Sequence, residues 1–283
     1  MTAPTAIREI DVHQLDHAGV ICCYLVGDVL IDCGPASRVP TLLEQLGDER
    51  PRVLALTHIH LDHAGGAGTL AALWPELEVW VHERGARHLV DPSRLLASAT
   101  RLYGDDMERL WGEVRSVPQE RVRALAGGES LGAFEVAYTP GHASHHVSYW
   151  HPETQTAFVG DVAGVRAHGS DYVLAPTPPP DIDVEAWSQS IARLREWRPG
   201  EVAITHFGRF DGLRQLDAIE RALEVAARRS RELSAEEFVA AMAADIAADE
   251  VASAADVYSL GAPLDQVYAG LERYWAKREA ASQ

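Results

Sequence analysis

The sequence has 283 residues, 47% of them apolar and 24% charged, enough for one large domain, or one domain plus a smaller appendage, around a sizeable core. Its formal net charge is −17, and a surface that grips phosphate backbones needs clustered Lys and Arg, so nucleic acid is excluded as an expected partner. No apolar run is long enough to cross a bilayer, and the opening MTAPTAIREI lacks the basic and apolar regions of a secretory signal, so the expectation is a cytoplasmic protein with no membrane partner.

The N-terminal part reads as short strands. VICCYLVGDVLIDCG gives two apolar stretches hinged at Gly27-Asp28, a hairpin pattern. A short helix is expected after Pro40, and Val53 to Leu56 is a buried strand too short for a helix. That strand runs into THIHLDHAGG, with Gly65-Gly66 expected to turn the chain tightly into the helix AGTLAALW. Leu77 to Val81 is the next strand, and Arg84 to about Val117 is mainly helical. Strand patterns return at Phe134 to Tyr138, Val147 to Trp150 and Thr156 to Val159.

APTPPPD is irregular, because consecutive prolines remove donors and fix φ. It leads to Asp183, the expected N-cap of the helix VEAWSQSIARLREW, which Pro199-Gly200 stops. Val202 to Thr205 is the last predicted strand. From Asp211 the text is Ala-rich and helical in period, with a further helix from Leu264 to about Arg278. The expected organisation is a catalytic domain over 1–210 and a helical appendage over 211–283, its exposed face solvated and its other face offering a packing surface or a homodimer contact.

His58-Ile59-His60-Leu61-Asp62-His63 places four potential metal ligands in six positions directly after a buried strand. His and Asp are seldom buried without partners, and four together would be costly unless a cation coordinated them. Alternation at a strand end points His58 and His60 the same way, towards one ion, and leaves Asp62 and His63 in the following turn for a second. Three later segments, YTPGHASHH with His142, FVGDVAG with Asp161 and AITHFG with His206, each end a predicted strand in a ligand-type residue. Strands of one sheet ending at the same edge would bring these residues into one cleft.

THIHLDHAGG resembles the H-x-H-x-D-H signature of the metallo-β-lactamase superfamily. TPGH, GD and the late TH resemble its remaining ligand motifs in order, and LIDCG, ending at Asp32, resembles its early strand motif. The resemblance covers roughly residues 10 to 210. It implies the four-layer αββα sandwich, here with the C-terminal helical appendage. It also implies that His58, His60 and His142 hold one metal, that Asp62, His63 and His206 hold the second, and that Asp161 bridges them. Two such cations share a water and lower its pKa toward ~7, so hydroxide is available at neutral pH. Asp62 is the candidate catalytic group, orienting that hydroxide or shuttling its proton. Imidazole and carboxylate suit zinc first and permit iron or manganese.

Asp32 and Thr57 are candidates for fixing the histidine tautomers, with ordinary strand-end hydrogen bonding as the alternative. Tyr172 is a candidate to donate to a substrate oxygen, with a plain loop tyrosine as its alternative. Neither His145 nor His146 is expected to be a ligand, and Cys22, Cys23 and Cys33 read as buried thiols without redox or metal chemistry. The function these readings favour is a dinuclear hydrolase of a small-molecule acyl compound, a thioester, lactone or ester, like the glyoxalase II and lactonase branches. The alternative is a mononuclear-iron oxidoreductase of the persulfide dioxygenase kind on the same fold.

Overall fold

The computed structural model describes residues 5–249, 251 and 254–281. They fall into two compact units, one running to Tyr138 and including Val147–Thr154, the other comprising Thr139–His146 and the described residues from Gln155 onward.

In the first unit, β1 (Ile7–Asp11), β2 (Cys22–Val26), β3 (Val29–Ile31), β4 (Val53–Ala55), β5 (Glu78–His82) and β6 (Val122–Leu125) form a mixed sheet in that order. The β2–β3 hairpin turns at Gly27, whose φ of 60° suits a residue without Cβ. From β3 onward the pairing is parallel, and parallel partners need crossovers. The helices α1 (Val39–Leu46), α2 (Leu61–Ala64), α3 (Ala67–Leu73), α4 (Glu83–Val90), α5 (Ser93–Tyr103) and α6 (Met107–Trp111) lie in those connections. All residues of β2 and β3 are buried, which is why they read as unbroken apolar runs rather than alternating ones.

The same unit holds an antiparallel ladder of β7 (Ser130–Leu131), β8 (Phe134–Tyr138) and β9 (Val147–His151). It is bonded to the two residues that follow Ala55, the last of β4. The Tyr149 hydroxyl donates to the Leu56 carbonyl at 2.9 Å, and the Val147 amide donates to the Thr57 carbonyl at 2.8 Å.

In the second unit, β10 (Thr156–Phe158) pairs parallel with β11 (Glu201–Ile204), and β11 pairs antiparallel with β12 (Gly208–Asp211). The β10–β11 connection contains α7 (Val184–Glu196), capped by the Asp183 carboxylate, which accepts from the Ala186 amide at 2.9 Å. Four helices follow: α8 (Gly212–Glu232), α9 (Ala235–Ala248), α10 (Ala254–Gly261) and α11 (Leu264–Ala281). Ser234 and Glu237 close a reciprocal capping box at the start of α9. Leu216, Ile219 and Leu223 of α8 are buried at helical spacing, and α8 packs on α7, β11 and β12 within this unit.

Three expectations are corrected. Asp62 and His63 lie not in a plain turn but in α2, a single helical turn. Gly65 and Gly66 adopt ordinary right-handed angles, with φ of −58° and −77°. Their missing side chains serve close packing instead: a Cβ at Gly65 would lie 3.0 Å from the Pro35 Cα, and one at Gly66 would lie 2.7 Å from the Val39 Cγ2. Finally, the strands that lead to the ligand motifs do not share one sheet, since β4 belongs to the β1–β6 sheet and β8, β10 and β11 do not.

Candidate metal centre

The first set of donors sits just beyond β4. His58 and His63 are fully buried, and His60 and Asp62 are half-buried. His58 Nε2 lies 3.0 Å from His60 Nδ1, so these two imidazoles share one side as expected, although the strand itself ends at Ala55 and the two residues lie in the irregular segment beyond it. Ligand atoms of His58 and His63, and of Asp62 and His63, come within 4.8 Å of each other.

Asp32 orients His63 of this set directly and His58 through Thr57. It has a φ of 54°, in the left-handed region that Asp tolerates better than most residues. Its Oδ1 accepts from the Thr57 amide at 2.8 Å, and its Oδ2 accepts from the Thr57 hydroxyl at 2.9 Å and faces His63 Nδ1 at 2.8 Å. A carboxylate can only accept here, so the His63 proton is held at Nδ1 and Nε2 is left as the ligand atom. The Thr57 hydroxyl also lies 3.1 Å from His58 Nδ1. The structure therefore brings Asp32 and Thr57 into contact with the histidines they were expected to orient. Cys33 is next to Asp32, but burial first and the Asp32 charge second push its thiol well up, so it remains a protonated thiol donating to the His63 carbonyl at 3.3 Å.

The second set follows β8, β10 and β11, and all three of its members are buried: His142, Asp161 and His206. Asp161 is split between two imidazoles, with Oδ2 at 3.4 Å from His142 Nε2 and Oδ1 at 3.6 Å from His206 Nε2. His142 Nδ1 donates to the Pro176 carbonyl at 2.8 Å. A carbonyl has no proton to give, which again fixes Nδ1–H and presents Nε2. Trp187 of α7 is completely buried, stands edge-on to His142 with ring centroids 5.7 Å apart, and donates its indole N–H to the Val162 carbonyl at 2.8 Å. Gly141 allows that approach, since a Cβ there would lie 2.3 Å from the Trp187 Cβ.

The donor set fits divalent metal ions. The two sets consist of imidazoles, with the proton held on Nδ1 and Nε2 left free to ligate in His63 and His142, together with carboxylates, which is the chemistry that zinc, iron and manganese accept. His146, one of the two neighbours set aside, is buried and pairs its Nδ1 with the Thr139 hydroxyl at 2.9 Å. Tyr172 joins a different cluster: its carbonyl accepts from the Tyr258 hydroxyl at 2.7 Å, its amide donates to Asp249 at 3.1 Å, and its ring meets Tyr258 edge-on. Burial raises the Tyr172 phenol well above its ordinary pKa. Sequence reading missed the Pro176 carbonyl and Trp187 as supports of His142. The proline run marked the loop as irregular without saying what it held.

A family model described as "Metallo-beta-lactamase superfamily" matches residues 18–206. The chain belongs to the metallo-β-lactamase superfamily. Its fold is that family's αββα sandwich, a metal-binding fold whose members are largely hydrolases. It is 31% identical over 189 residues to the metallo-beta-lactamase fold-containing protein ST1585 of Sulfurisphaera tokodaii, covering 64% of this chain and 68% of that one. The solved structure of ST1585 superposes with a TM-score of 0.71 at 23% identity, over 94% of this chain and 98% of that one. The structure of TTHA1623 in a di-iron-bound form matches with a TM-score of 0.54 at 29% identity, over 71% of this chain and 93% of that one. An atrochrysone carboxyl ACP thioesterase of Aspergillus fumigatus is 30% identical, covering 59% of this chain and 43% of its own length. A hydroxyacylglutathione hydrolase of Legionella pneumophila is 27% identical, covering 47% of this chain and 42% of its own length. Among the described residues, no helix is long and apolar enough to cross a membrane.

Proposed function

We propose that this chain is a dinuclear metallohydrolase of a small acyl compound, a thioester, lactone or ester. The observation that carries the reading is Asp161, whose two carboxylate oxygens each face a different imidazole Nε2, the arrangement of a carboxylate shared between two ions. In this proposal His58, His60 and His142 hold one divalent ion, Asp62, His63 and His206 hold the other, and Asp161 bridges. Such a pair, when bound, acidifies water towards neutral pH and polarises a carbonyl.

The chain's own residues do the rest. Asp32 keeps the His63 proton at Nδ1, and the Pro176 carbonyl does the same for His142, so both rings present a basic Nε2. His58, His63, His142 and His206 are each buried, whereas His60 and Asp62 are half-buried and are the donors left within reach of a substrate. The Asp62 carboxylate takes a proton from the attacking water and delivers it to the departing sulfur or oxygen. The relative named a thioesterase puts a thioester first among the substrates to try.

The test combines elemental analysis of the purified protein with a panel of thioester, lactone and aryl ester substrates. The expected result is about two metals per chain, turnover of one panel member, and loss of at least one metal in Asp161→Ala. Full metal content in Asp161→Ala would overturn the ligand assignment. A single iron without hydrolysis, but with oxygen uptake on a persulfide, would replace the hydrolase with an oxidoreductase.

A further inference from the structure

We propose that the C-terminal helix α11 is a positioning element for His142, acting through the backbone of residues 176–177, and that Gly270 is the residue that lets it do so. The inference rests on His142 being a metal ligand, as proposed above. It concerns a part of the chain beyond residues 18–206, where the family match ends.

The loop from Pro176 to Pro180 has four prolines in five positions. Proline has no amide proton, so this segment has little means of holding itself by backbone hydrogen bonds. Its position depends on what its carbonyls and side chains meet. One of those carbonyls, that of Pro176, fixes the proton on His142 Nδ1. Whatever holds the loop therefore also holds the ring.

Helix α11 supplies the hold along much of its length. The Thr177 hydroxyl, fully buried, donates to the Val267 carbonyl at 2.7 Å. Less than a turn further on, Gly270 lets the helix backbone lie directly on the loop: a Cβ there would stand 1.8 Å from the Thr177 oxygen and 2.9 Å from the Pro178 carbonyl carbon. Near the far end Lys277 Nζ donates to the Pro180 carbonyl at 2.8 Å, and Arg278 pairs with Glu185 at 2.5 Å. A side chain at position 270 has to displace peptide, not a flexible tip, and the nearest peptide is bonded to the one that orients His142. Helix α10 lies close to His206, the other candidate ligand histidine of this unit, since a Cβ at Gly261 would come within ordinary contact distance, 3.4 Å, of His206 Nδ1. The helices after residue 211 thus lie against His206 directly and against the loop that holds His142.

The test is Gly270→Ala, with zinc affinity measured by competition against a chromophoric chelator. The metal-free protein is read in parallel by ¹⁵N NMR of the histidine rings, with His142 assigned from its absence in His142→Gln. Loss of an orienting partner costs about 10–100-fold in metal affinity, so the variant is expected to bind zinc at least about tenfold more weakly and to lose the pure Nδ1–H signature of His142. Gly200→Ala is the control, because a Cβ there meets only ordinary contacts, the nearest at 3.5 Å, and it should match wild type in both readouts. A folded Gly270→Ala with wild-type affinity and an unchanged tautomer would overturn the proposal. If that variant does not fold, Thr177→Val decides. It cuts the bond to Val267 at nearly constant volume, and severalfold weaker zinc binding supports the strut while unchanged binding and tautomer refute it. A wild-type chain that binds no zinc would count against the metal reading instead, and the His142 tautomer in the variants would still decide this one.

Discussion

In the first unit His58, His60, Asp62 and His63 fall within six consecutive positions, with Asp32 orienting His63 directly and His58 through Thr57, while in the second unit His142, Asp161 and His206 come from three separate segments with separate supports. The first set is held by local chain geometry plus one buried carboxylate. The second relies on a loop carbonyl, an indole from α7 and the backbones of α10 and α11. A local set is exposed to damage at one residue, and a dispersed set to damage at many.

Substitutions can break this contrast. Trp187→Ala should have the largest effect on stability, because it empties a completely buried site beside His142 and deletes the bond to Val162. Urea unfolding should register a loss of about 3–5 kcal/mol. An unfolding curve like that of wild type would show that α7 does not brace the second set. Asp32→Ala attacks the first set through its single organiser, leaving the Thr57 amide and hydroxyl and His63 Nδ1 without their acceptor. Zinc affinity should fall by about 10–100-fold, as for other groups that orient a ligand, and retention of wild-type affinity would mean that the six-residue segment organises itself. Asp183→Ala should have the smallest effect. It removes the cap of α7 without touching a donor, so thermal or urea unfolding should report about 1 kcal/mol lost and metal affinity should not change. A drop in affinity would show that the second set is sensitive even to the cap of its supporting helix.

The same contrast explains what could be read from the sequence. THIHLDH is compact, so its ligand types and spacing are visible in one glance at the text, and the hairpin at Gly27-Asp28, β8 and the Asp183 cap follow from equally local patterns. The short edge strands β6 and β7 and the strand β12, whose GRFD text carries Gly, Arg and Asp, have no period to detect. Helix α10 did not stand out within an Ala-rich tail where every window looks helical. The Pro176 carbonyl was beyond reach for a different reason: every residue has a carbonyl, and which one meets an imidazole 34 positions away is decided by tertiary packing alone.

The two bonds from β9 to the residues just before His58, Tyr149 to Leu56 and Val147 to Thr57, bear on how metal would be loaded. They anchor the root of the ligand segment with contacts that need no ion, so its conformational freedom is given up when the chain folds and not when metal arrives. Loading then becomes capture by a ready-made cradle: its rate tracks the desolvation of the incoming ion, and its selectivity tracks the spacing of donors already in place. In a chain whose ligands order only around the metal, both would depend on the folding equilibrium.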